Sequence, residues 1–168
     1  LVNFESALKN SNIEGVNINK TVDFANLTSA FASGTGDFVN LFEPNATKLE
    51  KMGYGYVVDN VGKYNEIVPY TAFNARKSFI ENNKTLINNF KKAINKALEY
   101  TQNNDSTTLA KDIIKQFPDT SLQDLEIIIE RYKQADSWLT NTYITEEMFN
   151  NLQDMLINFK LINTLVPY

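Results

Sequence analysis

The stretch GTGDFVNLFEP, residues Gly34–Pro44, decides the fold that this chain is expected to adopt. Its glycines bound a turn, and the apolar residues that follow fit a short strand at 37–42. The Glu43-Pro44 pair fits the start of a helix, where the missing N–H of proline costs nothing. Because small molecules bind outside the carboxyl ends of parallel strands, this polar corner is a candidate ligand site.

Short helices and strands alternate on both sides of this stretch. Helices are predicted at 28–32 and 44–52, and further strands at 22–25 and 54–58. Strands that are separated by helix-length connections indicate a parallel sheet with crossovers. The expected fold class is therefore α/β, with parallel βαβ units in the first third.

Beyond residue 61 the pattern loosens and then becomes helical. An extended stretch at 61–75 contains a possible strand at 67–74, and a mostly helical C-terminal half follows it. A capping box at Thr120 and a cap at Thr145 predict the starts of two of its helices. Four apolar stripes with steps of three and four residues are expected to face a core. Their members are Leu86, Phe90, Ala93, Ile94, Ala97 and Leu98; Leu109, Ile113 and Ile114; Leu122, Leu125, Ile128, Ile129 and Tyr132; and Met148, Phe149, Leu152, Met155 and Leu156.

Composition excludes several classes of function. The 168 residues suffice for one domain or for part of a larger protein, and the net charge of −4 disfavours nucleic-acid binding. The chain has no Cys and no His, which removes thiolate chemistry, zinc sites and Ser-His-Asp triads. No metal and no cofactor is therefore expected. Because the first residue is Leu1 and not Met, we expect that the natural N-terminus lies upstream.

Polar and aromatic residues at the predicted strand ends form the candidate binding site. Neighbouring parallel strands would bring these ends to one crevice. Glu43 could instead be only a helix cap and Phe42 only a core residue. No spacing signature supports a catalytic pair of Glu43 and Asp59, so no catalytic residue is predicted. The candidate ligand-binding residues are Asn26, Thr28, Asn40, Phe42, Glu43, Pro44, Asp59, Asn60, Tyr70 and Thr71.

The order of several motifs resembles that of solute-binding proteins of ABC importers. The similar group is the nitrate, sulfonate, taurine and thiamine-precursor type, which is related to the thiamine-pyrimidine synthases. The resemblance covers nearly the whole chain and departs from the family at Lys160-Leu161, where the family often turns on Gly. The motifs that carry it are Gly36-Asp37-Phe38, Glu43-Pro44, Gly53-x-Gly55, Pro69-Tyr70, Phe79–Asn83, Ala93-x-x-x-Ala97, Arg131-Tyr132, Trp138 and Thr145–Phe149.

This resemblance implies a periplasmic-binding-protein type II fold, with two α/β lobes and a ligand cleft between them. Residues 1–62 would belong to the second lobe, 63–75 would form a crossover, and 76–168 would complete the first lobe and the C-terminal helices. The family's N-terminal half would be absent. The implied protein is an extracytoplasmic, periplasmic or lipoprotein component that passes a small organic or anionic solute to a membrane permease. Its membrane contact would run through an anchor in the missing N-terminus.

Two alternatives are left open by the residues. The first is an enzyme similar to the thiamine-pyrimidine synthases, a branch that uses a His and a Cys-rich run. The second is a helical interaction module, which the helical C-terminal half would suit.

Overall fold

A computed structural model describes the chain from Leu1 to Tyr168, and every regular element in it is helical. Three short 3-10 helices lie at Phe24–Asn26, Val61–Tyr64 and Ile114–Gln116. The α-helices are α1 (Val2–Asn10), α2 (Leu27–Ala32), α3 (Asn45–Lys51), α4 (Lys77–Asn82), α5 (Lys84–Asn103), α6 (Ser106–Ile113), α7 (Leu122–Gln134) and α8 (Glu146–Asn158).

The predicted α/β class is wrong, because the structure contains no strand and hence no parallel βαβ unit. A strand is stable only when a neighbouring strand accepts and donates its backbone hydrogen bonds, and none lies beside these segments. Their apolar side chains face solvent instead, with Phe38, Tyr56 and Phe73 exposed by 78%, 88% and 76%. The segments concerned are 22–25, 37–42, 54–58 and 67–74.

Side-chain caps begin three of the helices. Asp105 accepts a hydrogen bond from a backbone N–H of α6, Ser121 from one of α7 and Thr145 from one of α8, at 2.8, 3.1 and 3.1 Å. The Thr145 cap was predicted and is confirmed. The cap of α7 is Ser121, one residue after the predicted Thr120. Each such cap satisfies a backbone donor that the helix itself leaves unpaired.

The chain divides into two compact units. The first consists of Leu1, Asn3–Tyr64 and Asp105–Ser137. Helices α6 and α7 form its main helix pair, and apolar residues of their facing stripes are buried. Fully burying one such side chain stabilises a fold by about 1.5 to 3 kcal/mol. The buried apolar residues of this unit are Ala7, Leu49, Leu109, Ala110, Leu125, Ile128 and Ile129.

The second unit consists of Val2, Asn65–Asn104 and Trp138–Tyr168. Met155 of α8 is buried, and so is the neighbouring Gln153. The Gln153 side chain accepts a hydrogen bond from the N–H of Val166 at 2.6 Å and donates one to its carbonyl oxygen at 3.0 Å. These bonds tie the C-terminal segment to α8. The lobe assignment of 1–62, 63–75 and 76–168 stays a prediction.

Candidate functional site at the Glu43 corner

Glu43 shapes the turn that leads into α3. Its Oε2 accepts a hydrogen bond from the backbone N–H of Thr47 at 3.0 Å, so the carboxylate caps the first turn of the helix. The Glu43-Pro44 peptide bond is cis, and α3 begins one residue after the proline. A helix follows this pair as predicted, but it begins at Asn45 and not at the predicted Pro44, and the Glu43 carboxylate accepts a hydrogen bond from its first turn.

Arg131 of α7 holds this corner from the opposite side. Its Nη1 donates to Glu43 Oε1 at 3.2 Å and to Thr47 Oγ1 at 2.9 Å, while Nη2 donates to Glu50 Oε2. The Glu43 side chain is 9% exposed and that of Arg131 is 26% exposed. Thr47 and Glu50 lie three residues apart on α3 and therefore share a face of the helix. One guanidinium thus joins the corner and α3 to α7.

These contacts favour the charged forms of Glu50 and Arg131. The hydrogen bond from Arg131 lowers the pKa of Glu50, and a second bond from the backbone N–H of Val57, at 3.0 Å, lowers it further. Burial acts to lower the pKa of Arg131, but its bonds to Glu50 and Glu43 outweigh this effect and raise that pKa above its ordinary value. The corner is therefore a network of satisfied charges.

An exposed aromatic pair lies directly beside the corner. The rings of Phe24 and Phe42 are 5.7 Å apart between centroids and tilted by 58°. Phe24 is 66% exposed and Phe42 is 52% exposed. Asn26 follows two residues after Phe24 and is exposed as well. Two aromatic faces that stay open to solvent can contact a flat or apolar part of a ligand.

Asp59 and Asn60 form a separate cluster at the 3-10 helix Val61–Tyr64. Asp59 accepts hydrogen bonds from Lys63 Nζ at 2.7 Å, from the Tyr64 hydroxyl and from the Asn60 N–H at 2.7 Å. The bond from Lys63 contributes most to a pKa of Asp59 that lies well below its usual range. Asn60 Oδ1 accepts from the N–H of Gly62 at 2.8 Å. These hydrogen bonds stabilise the turn in which the two residues lie.

The remaining predicted site residues are spread over the chain. Thr28 lies half-buried in α2, and Asn40 is exposed in an extended segment. Tyr70 and Thr71 are exposed and belong to the second unit. The structure thus brings Phe42, Glu43 and Pro44 next to the segment that carries Phe24 and Asn26. A ligand-binding role for the ten candidates stays a prediction.

The sequence patterns did not predict the contact of Arg131 with Glu43 or that of Phe24 with Phe42. In the sequence, Arg131 belongs to a motif of the family resemblance, and Phe24 belongs to the predicted strand at 22–25. The scarcity of arginine was an available signal, because Arg131 and Arg76 are the two in the chain. An arginine next to the apolar stripe of a helix is a candidate partner for a carboxylate.

A shallow groove of about 430 Å³ runs along α7 on the α6 side. Its polar groups bond to one another: Ser106 Oγ and Gln134 Nε2 both donate to Glu130, at 2.7 and 3.0 Å. No group of three or more acidic, His or Cys residues could hold a metal ion. None of the helices has the length and the apolar character that crossing a membrane requires. The groove residues are Ser106, Glu126, Ile127, Glu130, Arg131 and Gln134.

Comparison with known proteins gives one informative similarity. No family model matches the chain, and no solved structure matches it. A protein of Bacillus subtilis (strain 168), named "Putative binding protein YtlA", is 35% identical over 153 residues. These residues make up 91% of this chain and 46% of YtlA, so the chain spans about half the length of this relative. The name of this relative is consistent with a binding role and does not describe an enzyme.

Proposed function

We propose that this protein belongs to the substrate-binding component of an ABC importer and binds a small organic or anionic solute. The observation that carries the proposal is the 35% identity, over 91% of the chain, to a protein named as a binding protein. The ordered resemblance of the sequence motifs to importer solute-binding proteins supports the finer assignment. An extracytoplasmic location, transfer to a membrane permease and a lipid anchor belong to the same proposal.

In this proposal the ligand contacts the aromatic pair of Phe24 and Phe42. Both residues are more than half exposed, so a solute can reach them from solvent. Glu43 positions Phe42, because its carboxylate is already engaged by the Thr47 N–H and by Arg131. The solute would lie in the cleft between two lobes that the resemblance implies.

The synthase-like enzyme is the weaker alternative. The relative's name describes binding, and the chain contains neither the His nor the Cys residues on which that branch depends. Acid–base chemistry at the corner is also poorly supported, since the Glu43 and Glu50 carboxylates are paired with one arginine.

A thermal-shift screen tests the proposal. The chain and YtlA are each heated with thiamine pyrimidines, sulfonates, nitrate and flavins. A solute at a hundred times its dissociation constant should add about 2.7 kcal/mol to the free energy of unfolding. Phe42→Ala should reduce this stabilisation, whereas the control Phe38→Ala, at an exposed ring in the same unit, should leave it unchanged. If no solute stabilises either protein, the proposal fails.

A further inference from the structure

Helix α5 is the longest helix of the chain, yet none of its 20 residues is buried. Leu86, Phe90, Ile94 and Leu98 recur every four residues and form one apolar stripe. Leu86 is 56% exposed and Phe90 is 43% exposed, while Ile94 and Leu98 are half-buried. The predicted core position of this stripe is therefore wrong for its N-terminal half. A helix with such a stripe normally packs it against another layer of the protein.

The second unit holds α5 by a different face. Asn95 Oδ1 accepts a hydrogen bond from the N–H of Thr142 at 2.9 Å, and Gln102 Nε2 donates to the carbonyl oxygen of Trp138 at 2.7 Å. Asn95 and Gln102 are seven residues apart, which is about two helical turns, so they lie on the same side. These two hydrogen bonds use a polar face of α5, and the N-terminal part of its apolar stripe stays exposed.

A neighbouring aromatic side chain enlarges the open surface. Phe73 packs edge-on against Phe90, with 4.9 Å between ring centroids, and is itself 76% exposed. In the same unit Ile67 is 57% exposed. This surface, which we call the α5 face, consists of the α5 stripe and Phe73.

The charges of α5 lie away from the exposed part of its apolar stripe. Helix α5 carries four lysines and a single acidic residue, Glu99, which is a formal charge of +3 (4 − 1) in a chain whose net charge is −4. On a helix of 3.6 residues per turn, these lysines lie about 100° or more around the axis from the midpoint of Leu86 and Phe90. A fitting partner is therefore apolar where it meets these two side chains. The lysines are Lys84, Lys91, Lys92 and Lys96.

We infer that the α5 face docks a further polypeptide layer equivalent to the part of YtlA that lies outside the match. The matched residues make up 91% of this chain but 46% of YtlA, so more than half of the relative is available for such a layer. A layer within the same folded protein would cover the stripe without the entropic cost that two separate chains incur on binding. The inference does not depend on the proposed solute.

Hydrogen exchange tests this docking. The matched segment of YtlA is replaced by this chain, and amide exchange of α5 is compared between the chimera and the chain alone. A covering layer should slow exchange in the first three turns of α5 by about tenfold or more. Leu86→Asp/Phe90→Asp should abolish the difference, because two carboxylates would enter the apolar contact. Thr85→Asp/Asn89→Asp has the same spacing on an exposed part of the helix and should preserve it.

Three results would overturn the inference. The first is equal exchange of α5 in the chimera and in the chain alone. The second is protection in the chain alone that rises with protein concentration, since a second copy would then cover the face. The third is protection of the chain alone by vesicles of phosphatidylglycerol with phosphatidylcholine, together with none in the chimera, since a lipid surface would then be the occupant.

Discussion

Replacing Arg131 with Met should destabilise the first unit strongly. Methionine keeps most of the apolar stem but removes the guanidinium that bonds to Glu43, Thr47 and Glu50. The Glu43 side chain, at 9% exposure, would then carry a charge without a counterion. Removing one partner of a buried ion pair costs about 3 to 5 kcal/mol. Because Arg131 is 26% exposed, water screens part of this effect, and we expect a loss of about 3 kcal/mol.

Urea unfolding at pH 7, followed by far-UV circular dichroism, measures this loss. With a slope of about 2 kcal/mol per molar urea, the midpoint should fall by about 1.5 M. Arg76→Met is the matched control, since Arg76 is exposed and lies directly before α4. An exposed substitution of this kind should change the free energy of unfolding by less than about 0.5 kcal/mol.

The double variant Arg131→Met/Glu43→Gln tests whether the unpaired Glu43 carboxylate causes the loss of stability in Arg131→Met. If the uncompensated carboxylate dominates the loss, the neutral amide should restore about 1 kcal/mol. Equal midpoints for Arg131→Met and Arg76→Met would refute the reasoning altogether. A double variant no more stable than Arg131→Met would refute the electrostatic part of it.

Three further predictions concern the core, the pH dependence and a helix cap. Leu125 is 2% exposed, and Leu125→Ala should lower the free energy of unfolding in urea by about 3 kcal/mol. Ile127 lies on the same helix and is 39% exposed, so Ile127→Ala should lower it by about 1 kcal/mol or less. Equal losses in the two variants would contradict the assigned core. The pKa of Glu50 lies below its ordinary value of 4.5 in the folded chain, so its stabilisation is complete above about pH 4.5 and is lost as the pH falls through the folded value. Between pH 6 and pH 3, urea midpoints should therefore fall less for Glu50→Gln than for the wild type, and parallel curves would argue against this linkage. Thr145→Ala should destabilise α8 by about 1 kcal/mol in thermal unfolding, with Thr145→Ser nearly neutral, and an equal loss in both variants would exclude a capping hydrogen bond.

Local patterns predicted the helices well, because the backbone hydrogen bonds of a helix form within one segment of the chain. The stripe of α7 and the Thr145 cap of α8 both occur as the residue spacing indicates. The four predicted strands failed for the opposite reason. A strand depends on hydrogen bonds to a distant segment, and alternation of side chains does not show whether that segment is present.

Part of the candidate site could be predicted from local sequence, and part of it was visible only in the structure. The Glu43-Pro44 pair identified the corner before α3 from sequence alone. Arg131 is 88 residues away from Glu43, and the contact between them was visible only in the structure. The contact between Phe24 and Phe42 likewise depends on how two segments of the first unit fold together. Ion pairs and ring contacts between distant segments leave no periodic signal in a sequence.

The sequence by itself determined the positions of most helices, the Thr145 cap and the lack of Cys and His in these residues, since each of these depends on neighbouring residues or on composition. Only the tertiary structure decided that Glu43 pairs with Arg131, that Phe24 and Phe42 are in contact and more than half exposed, and that Leu86 and Phe90 of the α5 stripe are exposed. These properties depend on which distant groups share space, and burial and charge pairing are set by that arrangement and not by local residue order.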